Sequence, residues 1–171
     1  MELLDRAVEA IKAGKLLNID DPIQAGAEIN LRIPALIPED YMPDVHNRLI
    51  MYKRISAAKD NHELRDLQVE LIDRFGLLPN QVKSLCRITE LKFQLATLGI
   101  VKLEAGESQG RIEFGAETTI DPYTMIRLVQ TKPASYKLEG ANTLKFIFDM
   151  PDAESRFKTI SDTLDLLSRP A

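Results

Sequence analysis

The spacing of hydrophobic residues changes near residue 99 of the chain. Before it, apolar side chains recur every three to four positions, the period of one helix face; afterwards short stretches alternate apolar and polar residues as strands do. The first part predicts one strand over residues 28–33 and helices over 1–15, 44–58, 61–75 and 79–98. The second part predicts strands over 100–103, 111–114, 136–138 and 144–148, and helices over 121–130 and from 151 onward. The pattern therefore predicts an α+β fold, a single compact domain with a small, mostly antiparallel sheet packed against several helices.

The predicted helix over residues 1–15 stands apart from the rest. Residues 16–27 have no clear periodicity and include Asp20-Asp21-Pro22 and Gly26, which is typical of a linker. We therefore expect residues 1–15 to be the end of a preceding region, residues 28–171 to be a domain of their own, and the chain to be part of a longer protein.

The helix over residues 61–75 has the clearest end signals. Asp60 can cap its first turn with Glu63 three residues later, and Gly76 suits the positive φ that closes a helix. Its predicted buried side consists of Leu64, Leu67, Leu71, Ile72 and Phe75.

Four acids, Glu63, Asp66, Glu70 and Asp73, follow one another on the other side of this helix. Like charges three and four residues apart destabilise an isolated helix, and the helix dipole disfavours acids near its C-terminal end. The stripe thus does little for the helix beyond its first turn, and we predict that it binds a basic surface of another protein. The competing interpretation is a charged face that simply contacts water.

Composition narrows the protein class. The net charge of the 171 residues is −4 and the isoelectric point about 5.3, whereas nucleic-acid-binding proteins normally concentrate basic residues on one face. Cys86 is the only cysteine, so an internal disulfide is impossible. The start of the chain does not resemble a signal peptide and no apolar run is long enough for a membrane span, from which we expect a cytoplasmic protein without a membrane partner.

The residues that could carry chemistry do not form a known catalytic pattern. Gly14-Lys15 is followed by Leu16 and lacks the upstream glycine of a phosphate-binding loop. His46 and His62 lie on different predicted helices, and Cys86 lies on an apolar helix face, where a thiol usually fills the core. We expect no catalytic residue, no cofactor and no metal.

Several stretches resemble one protein family. They are the segments Ile37-Pro38-Glu39-Asp40-Tyr41-Met42-Pro43-Asp44, Arg48-Leu49 with Tyr52-Lys53-Arg54, and Val69-Glu70-Leu71-Ile72-Asp73-Arg74-Phe75-Gly76-Leu77-Leu78-Pro79. Together they resemble the C-terminal domain of the bacterial transcription-repair coupling factors, the Mfd family, over about residues 28–148. Residues 1–8 look like the last helix of that family's translocase motor.

The resemblance implies a function. Members of the family are ATP-driven double-stranded DNA translocases that dislodge stalled RNA polymerase and recruit the excision-repair protein UvrA. Their C-terminal domain has no motor, and it packs against the protein's own N-terminal, UvrB-like module, hiding the UvrA-binding surface. The resemblance thus implies an autoinhibitory domain with Glu70 and Asp73 as the contact to arginines of that module, and with Glu63 and Asp66 as neighbours.

Two other functions remain open from the sequence. The domain could support the motor by binding nucleic acid, against which its acidity argues. It could also be an enzyme that uses Glu70 and Asp73 as an acid/base pair, which would require an enclosed cleft and raised carboxyl pKa values.

Overall fold

The structure, a computed structural model, describes residues 27–168. In chain order its elements are β1 (Glu28–Asn30), α1 (Val45–Ala57), α2 (Asn61–Phe75), α3 (Asn80–Leu98), β2 (Ile100–Ala105), β3 (Gln109–Phe114), α4 (Pro122–Thr131), β4 (Tyr136–Glu139), β5 (Thr143–Ile147) and α5 (Ala153–Ser168). The α+β class predicted from the sequence is confirmed. The helix expected over residues 1–15 and all but the last residue of the linker expected over 16–27 lie outside the described residues.

The described residues divide into two compact units. The first comprises Pro34–Phe93, and the second comprises residues 27–33 and 94–168. The first unit contains α1, α2 and most of α3 around a core of apolar side chains. Its fully buried members include Met42, Ile55, Leu64, Leu71 and Val82.

The loop before α1 is fixed to the core of the first unit by tyrosines. The hydroxyl oxygen of Tyr52 accepts a hydrogen bond from the backbone N–H of Ile37 at 2.7 Å, and burial raises the pKa of Tyr52. The hydroxyl of Tyr41 donates to the backbone oxygens of Leu71 and Gly76, at 3.1 and 2.8 Å. Tyr41 thereby connects this loop to the C-terminal end of α2.

The second unit is built on a five-stranded sheet in the order β1-β2-β3-β5-β4. Only β1 pairs in parallel, with β2, and the other neighbours are antiparallel, so the predicted mostly antiparallel sheet is confirmed. Alternate residues of the central strands, such as Leu103, Ile112 and Leu144, are fully buried. A buried hydrogen bond of 2.9 Å between the hydroxyls of Tyr136 and Thr163 connects β4 to α5.

The buried side of α5 agrees with the sequence pattern. In the predicted helix from residue 151 onward, Phe157, Ile160, Leu164 and Leu167 fall at helical spacing, and all four are buried in the structure. Arg156, which the pattern did not single out, is also buried: its Nη1 donates to the backbone oxygens of Leu31 and Arg32, and its Nε donates to that of Met150. A buried cation is thus satisfied by carbonyl groups of the same unit.

Three expectations need correction. Strand β1 is shorter than the predicted 28–33 because Arg32 adopts a positive φ of 55°, which interrupts an extended chain. In the predicted helix over 44–58, Val45 shares one apolar face with Leu49, Tyr52 and Ile55, but in the structure Val45 is exposed. The apolar surface of the predicted helix over 79–98 is too wide for a single stripe, from which we expect a central buried helix. In the structure α3 buries Leu85 but exposes Glu90, so it has a solvent-facing side.

Candidate functional site: the exposed face of α2

Local chemistry fixes both ends of α2. The side chain of Asp60 accepts a hydrogen bond from the backbone N–H of Glu63 at 2.9 Å, as a capping box requires. The side chain of Glu63 in turn accepts a hydrogen bond from the backbone N–H of Lys59 at 2.7 Å. In a standard capping box the donor is the N–H of the capping residue, here Asp60, one position later. Gly76 ends the helix at φ 96° and ψ −168°, a conformation that essentially only glycine adopts. The predicted helix bounds are confirmed to the residue.

The buried side of α2 anchors it in the first unit. Leu64, Leu67 and Leu71 are buried, and the ring of Phe75 lies 5.8 Å from that of Tyr41, centroid to centroid. Because this side is packed, the opposite side of the helix is held in a fixed orientation.

That opposite side carries apolar as well as acidic residues. Asp66, Val69 and Asp73 are exposed and follow one another at helical spacing. Ile72, predicted on the buried side, is 41% exposed, and Leu77, just beyond the helix, is 86% exposed. The prediction for Ile72 is wrong because the packed side of α2 is centred on Leu64, Leu67 and Leu71. We call Asp66, Val69, Ile72, Asp73 and Leu77 the exposed α2 face.

The sequence pattern predicts four acids without a cationic partner. In the structure Glu70 has such a partner. Both of its carboxylate oxygens accept hydrogen bonds from Arg54 on α1, with Nη2 to Oε1 at 2.8 Å and Nη1 in contact with Oε2. Arg74 of α2 also approaches Oε2, at 3.5 Å. The hydrogen bonds from Arg54 are the main cause that lowers the pKa of Glu70 and raises that of Arg54.

The other acids differ in what they contact. Glu63 accepts a backbone hydrogen bond at the start of α2, and Asp66 lies 3.6 Å from the ring nitrogen Nε2 of His62. Asp73 makes no side-chain hydrogen bond or ion pair within residues 27–168. Of the four predicted contact residues, Asp66 and Asp73 are therefore the carboxylates most available to a partner.

Arg54, Ile72 and Leu77 belong to this site but were missed from the sequence. No local signal indicates that Arg54 of α1 contacts Glu70 of α2, because the two residues lie 16 positions apart on different helices. Leu77 carried a signal, because the residue after a closing glycine often contacts the preceding turn. Its exposure shows that this contact is not made.

The geometry does not favour chemistry at these carboxylates. An acid/base pair needs a raised carboxyl pKa, whereas that of Glu70 is lowered by Arg54. Cys86 is buried, and burial raises the pKa of its thiol. Within residues 27–168, no group of three or more histidine, cysteine, aspartate or glutamate side chains is placed to hold a metal ion. In the same residues, no helix has the length and apolar character needed to cross a bilayer.

The solvent-facing side of the sheet presents a second charged surface. Strand register places Arg111, Lys145 and Lys137 side by side on three neighbouring strands. Glu139 lies 3.0 Å from Arg111 and 4.0 Å from Lys145, so one acid partly neutralises the row. Lys102 on β2 is in turn paired with Glu104 at 3.0 Å.

Comparison with known proteins identifies the family. The family model described as "TRCF domain" matches residues 31–125, more than half of the chain. The transcription-repair-coupling factors of Haemophilus influenzae and Escherichia coli are 45% and 44% identical to it over 164 and 160 residues. These matches cover 96% and 94% of this chain but only 14% of each relative, so the chain spans about one seventh of the length of the curated relatives it matches.

A solved structure shares the fold. The crystal structure of the C-terminal domain of a transcription-repair coupling factor aligns with a TM-score of 0.68 at 23% identity, covering 83% of this chain and 91% of that one. At this identity the likeness concerns the fold alone, while the family model and the sequence relatives carry the assignment. The chain therefore belongs to the TRCF domain family of the transcription-repair coupling factors.

Proposed function

We propose that this domain is a non-catalytic regulatory part of a cytoplasmic transcription-repair coupling factor. In this proposal the whole protein is an ATP-driven translocase on double-stranded DNA that displaces stalled RNA polymerase and recruits UvrA. The domain docks through the exposed α2 face onto arginines of the protein's own N-terminal, UvrB-like module. Docking covers the UvrA-binding surface and restrains the motor.

The observation that carries the proposal is the composition of the exposed α2 face. Asp66 and Asp73 present carboxylates on either side of Val69, which is 53% exposed, and Ile72 adds further apolar surface. Protein interfaces combine apolar contacts with charged groups that select the partner. A face that only contacted water would not require two exposed β-branched residues among its acids.

The strength of such a contact suits a releasable restraint. An exposed ion pair contributes about 0–1 kcal/mol and weakens as salt is added. Within one polypeptide, the high effective concentration of the module allows a weak contact to remain mostly closed. The same weakness allows it to open when the motor engages DNA and polymerase.

The test reverses the two available carboxylates in the full-length protein. With two ion pairs of up to about 1 kcal/mol each, Asp66→Lys with Asp73→Lys should weaken docking by up to about thirtyfold through the lost attraction, and repulsion adds to this loss. We expect higher UvrA binding and higher ATPase activity in this variant. The matched control is Asp162→Lys with Asp165→Lys, which makes the same charge change at two exposed positions of α5.

A direct binding measurement accompanies the charge-reversal test. This chain, titrated with the separately expressed N-terminal module, should bind at low salt and more weakly at high salt, and the α2 variant should bind least. Equal UvrA binding and ATPase activity in the native protein and in both variants would refute the proposal.

The row formed by Arg111, Lys145 and Lys137 favours a second candidate, an accessory nucleic-acid contact that supports the translocase. Its partial neutralisation by Glu139 makes this the weaker proposal. A gel shift of this chain with duplex DNA that weakens with salt and disappears in Lys137→Glu with Lys145→Glu would support it.

A further inference from the structure

Glu70 is held by two arginines of its own domain. The planar guanidinium of Arg54 contacts both oxygens of the carboxylate, and Arg74 approaches one of them. The side chains of Arg54 and Glu70 remain 41% and 34% exposed. A cation from outside can therefore reach Glu70, but only at a carboxylate that is already paired.

On the basis of the proposed docking function, we infer that Arg54 is an internal competitor of the docking partner. Glu70 lies within one helical turn of Asp66 and Asp73, at the edge of the exposed α2 face. In the undocked domain Arg54 occupies Glu70, and docking exchanges this pair for a pair with a cation of the partner. The exchange contributes little to the free energy of docking at Glu70, because one ion pair is lost for each one formed. Arg54 thus positions Glu70 and keeps docking weak enough to reverse.

The geometry also specifies the chemistry of the incoming group. Arg54 holds the carboxylate side-on, with one nitrogen for each oxygen. A guanidinium reproduces both contacts, whereas the ammonium of a lysine is a single point charge. The arginines assumed in the proposed docking suit this geometry, whereas a lysine at this position should displace Arg54 poorly.

A double-mutant cycle in the native chain tests the inference, with the separately expressed N-terminal module as the probe. Arg54→Gln frees Glu70 and should tighten binding about three- to fivefold, the upper part of the range for one exposed ion pair, because the contact is bidentate. Glu70→Gln alone should change the affinity less than twofold, because it removes both the internal pair and the docking pair. In the double variant Arg54→Gln with Glu70→Gln, the gain from Arg54→Gln should vanish.

Arg127→Gln is the matched control for charge. Arg127 lies on α4 of the second unit, outside the exposed α2 face, is exposed, and pairs with no acid in the part of the chain that the structure describes. It changes the net charge of the domain as Arg54→Gln does but leaves Glu70 paired. We expect its effect on affinity to be less than twofold, and the salt dependence of binding to be steeper only in Arg54→Gln.

The outcomes separate this inference from the proposed function. If the native chain binds the module but Arg54→Gln does not tighten binding, or Arg127→Gln tightens it equally, the competitor role of Arg54 is wrong and docking stands. A gain that survives in the double variant also overturns it. If the native chain does not bind the module at any salt concentration, both are wrong.

Discussion

Adding a single methyl group at Gly110 should damage the sheet. It lies on β3 directly between Ala105 of β2 and Phe146 of β5. A Cβ atom there would lie 2.1 Å from the Cζ atom of Phe146 and 2.6 Å from the backbone oxygen of Glu104. Neither neighbour can yield easily, because the ring is completely buried and the oxygen belongs to a strand of the ladder.

The expected loss follows from these two contacts. Overfilling a packed core by a methyl group typically costs about 1–3 kcal/mol. Since Gly110→Ala must displace both a core ring and a strand backbone, we expect a loss of about 3 kcal/mol in the free energy of unfolding. For a chain of this size that corresponds to a melting temperature lower by about 6–12 °C.

Two other glycines serve as controls in the same urea and thermal unfolding measurements. Gly140→Ala meets no atom within 4 Å but must adopt φ 69°, and the left-handed conformation should cost about 1–2 kcal/mol. Gly106→Ala approaches only the flexible side chain of Arg32, at 3.4 Å, and should change stability by about 0.5 kcal/mol or less. Phe146→Leu should partly rescue Gly110→Ala. If Gly110→Ala were as stable as Gly106→Ala, the reasoning would be refuted.

Two further predictions concern the first unit. Tyr41→Phe removes the hydrogen bonds to the backbone oxygens of Leu71 and Gly76, and should lower the unfolding free energy by about 1 kcal/mol in urea denaturation; an unchanged midpoint would contradict the role of this hydroxyl. The pair with Arg54 holds the pKa of Glu70 below its ordinary value of 4.5. The pair therefore stabilises the fold at pH values above 4.5, and this stabilisation is lost as the pH falls through the pKa of Glu70 in the folded protein. Carboxyl NMR titration should show the pKa of Glu70 rising in Arg54→Gln, and no rise would contradict the pairing.

Local capping signals made the bounds of α2 predictable to the residue. Its ends depend on a capping aspartate and a closing glycine, and both act on backbone groups within a few positions in sequence. The same holds for the start of α4, where Asp121 caps a helix that begins with Pro122. Short-range hydrogen bonding can be recognised without knowing what packs against the helix.

Non-local pairing was beyond the sequence pattern. The alternation of Ile29, Leu31 and Ile33 predicted a strand, but not that it pairs in parallel with β2 or that Arg32 ends it. Residues joined only by the folded chain leave no local signal. The register of β1 and its premature end therefore became visible only in the structure.

Only part of the candidate site could be predicted, because some of its features depend on local periodicity and others on contacts between helices. The acid stripe of α2 follows from helical periodicity, and Glu63, Asp66 and Asp73 are exposed. The pairing of Glu70 with Arg54 depends on how α1 meets α2, and the exposure of Ile72 depends on which part of a wide apolar surface is packed. Periodicity defines a direction on a helix, whereas packing partners decide how much of that side is covered.

The split composition of the second unit has a consequence for the order in which the protein can form during translation. Arg156 donates to the carbonyl of Leu31 across 125 positions of the sequence. β1 emerges from the ribosome long before its neighbour β2 and before the helix that holds the end of β1 in place. The described part of the first unit, Pro34–Phe93, is one continuous stretch and can assemble while the remainder is still being synthesised. The α2 surface would then exist on the nascent chain before the sheet closes.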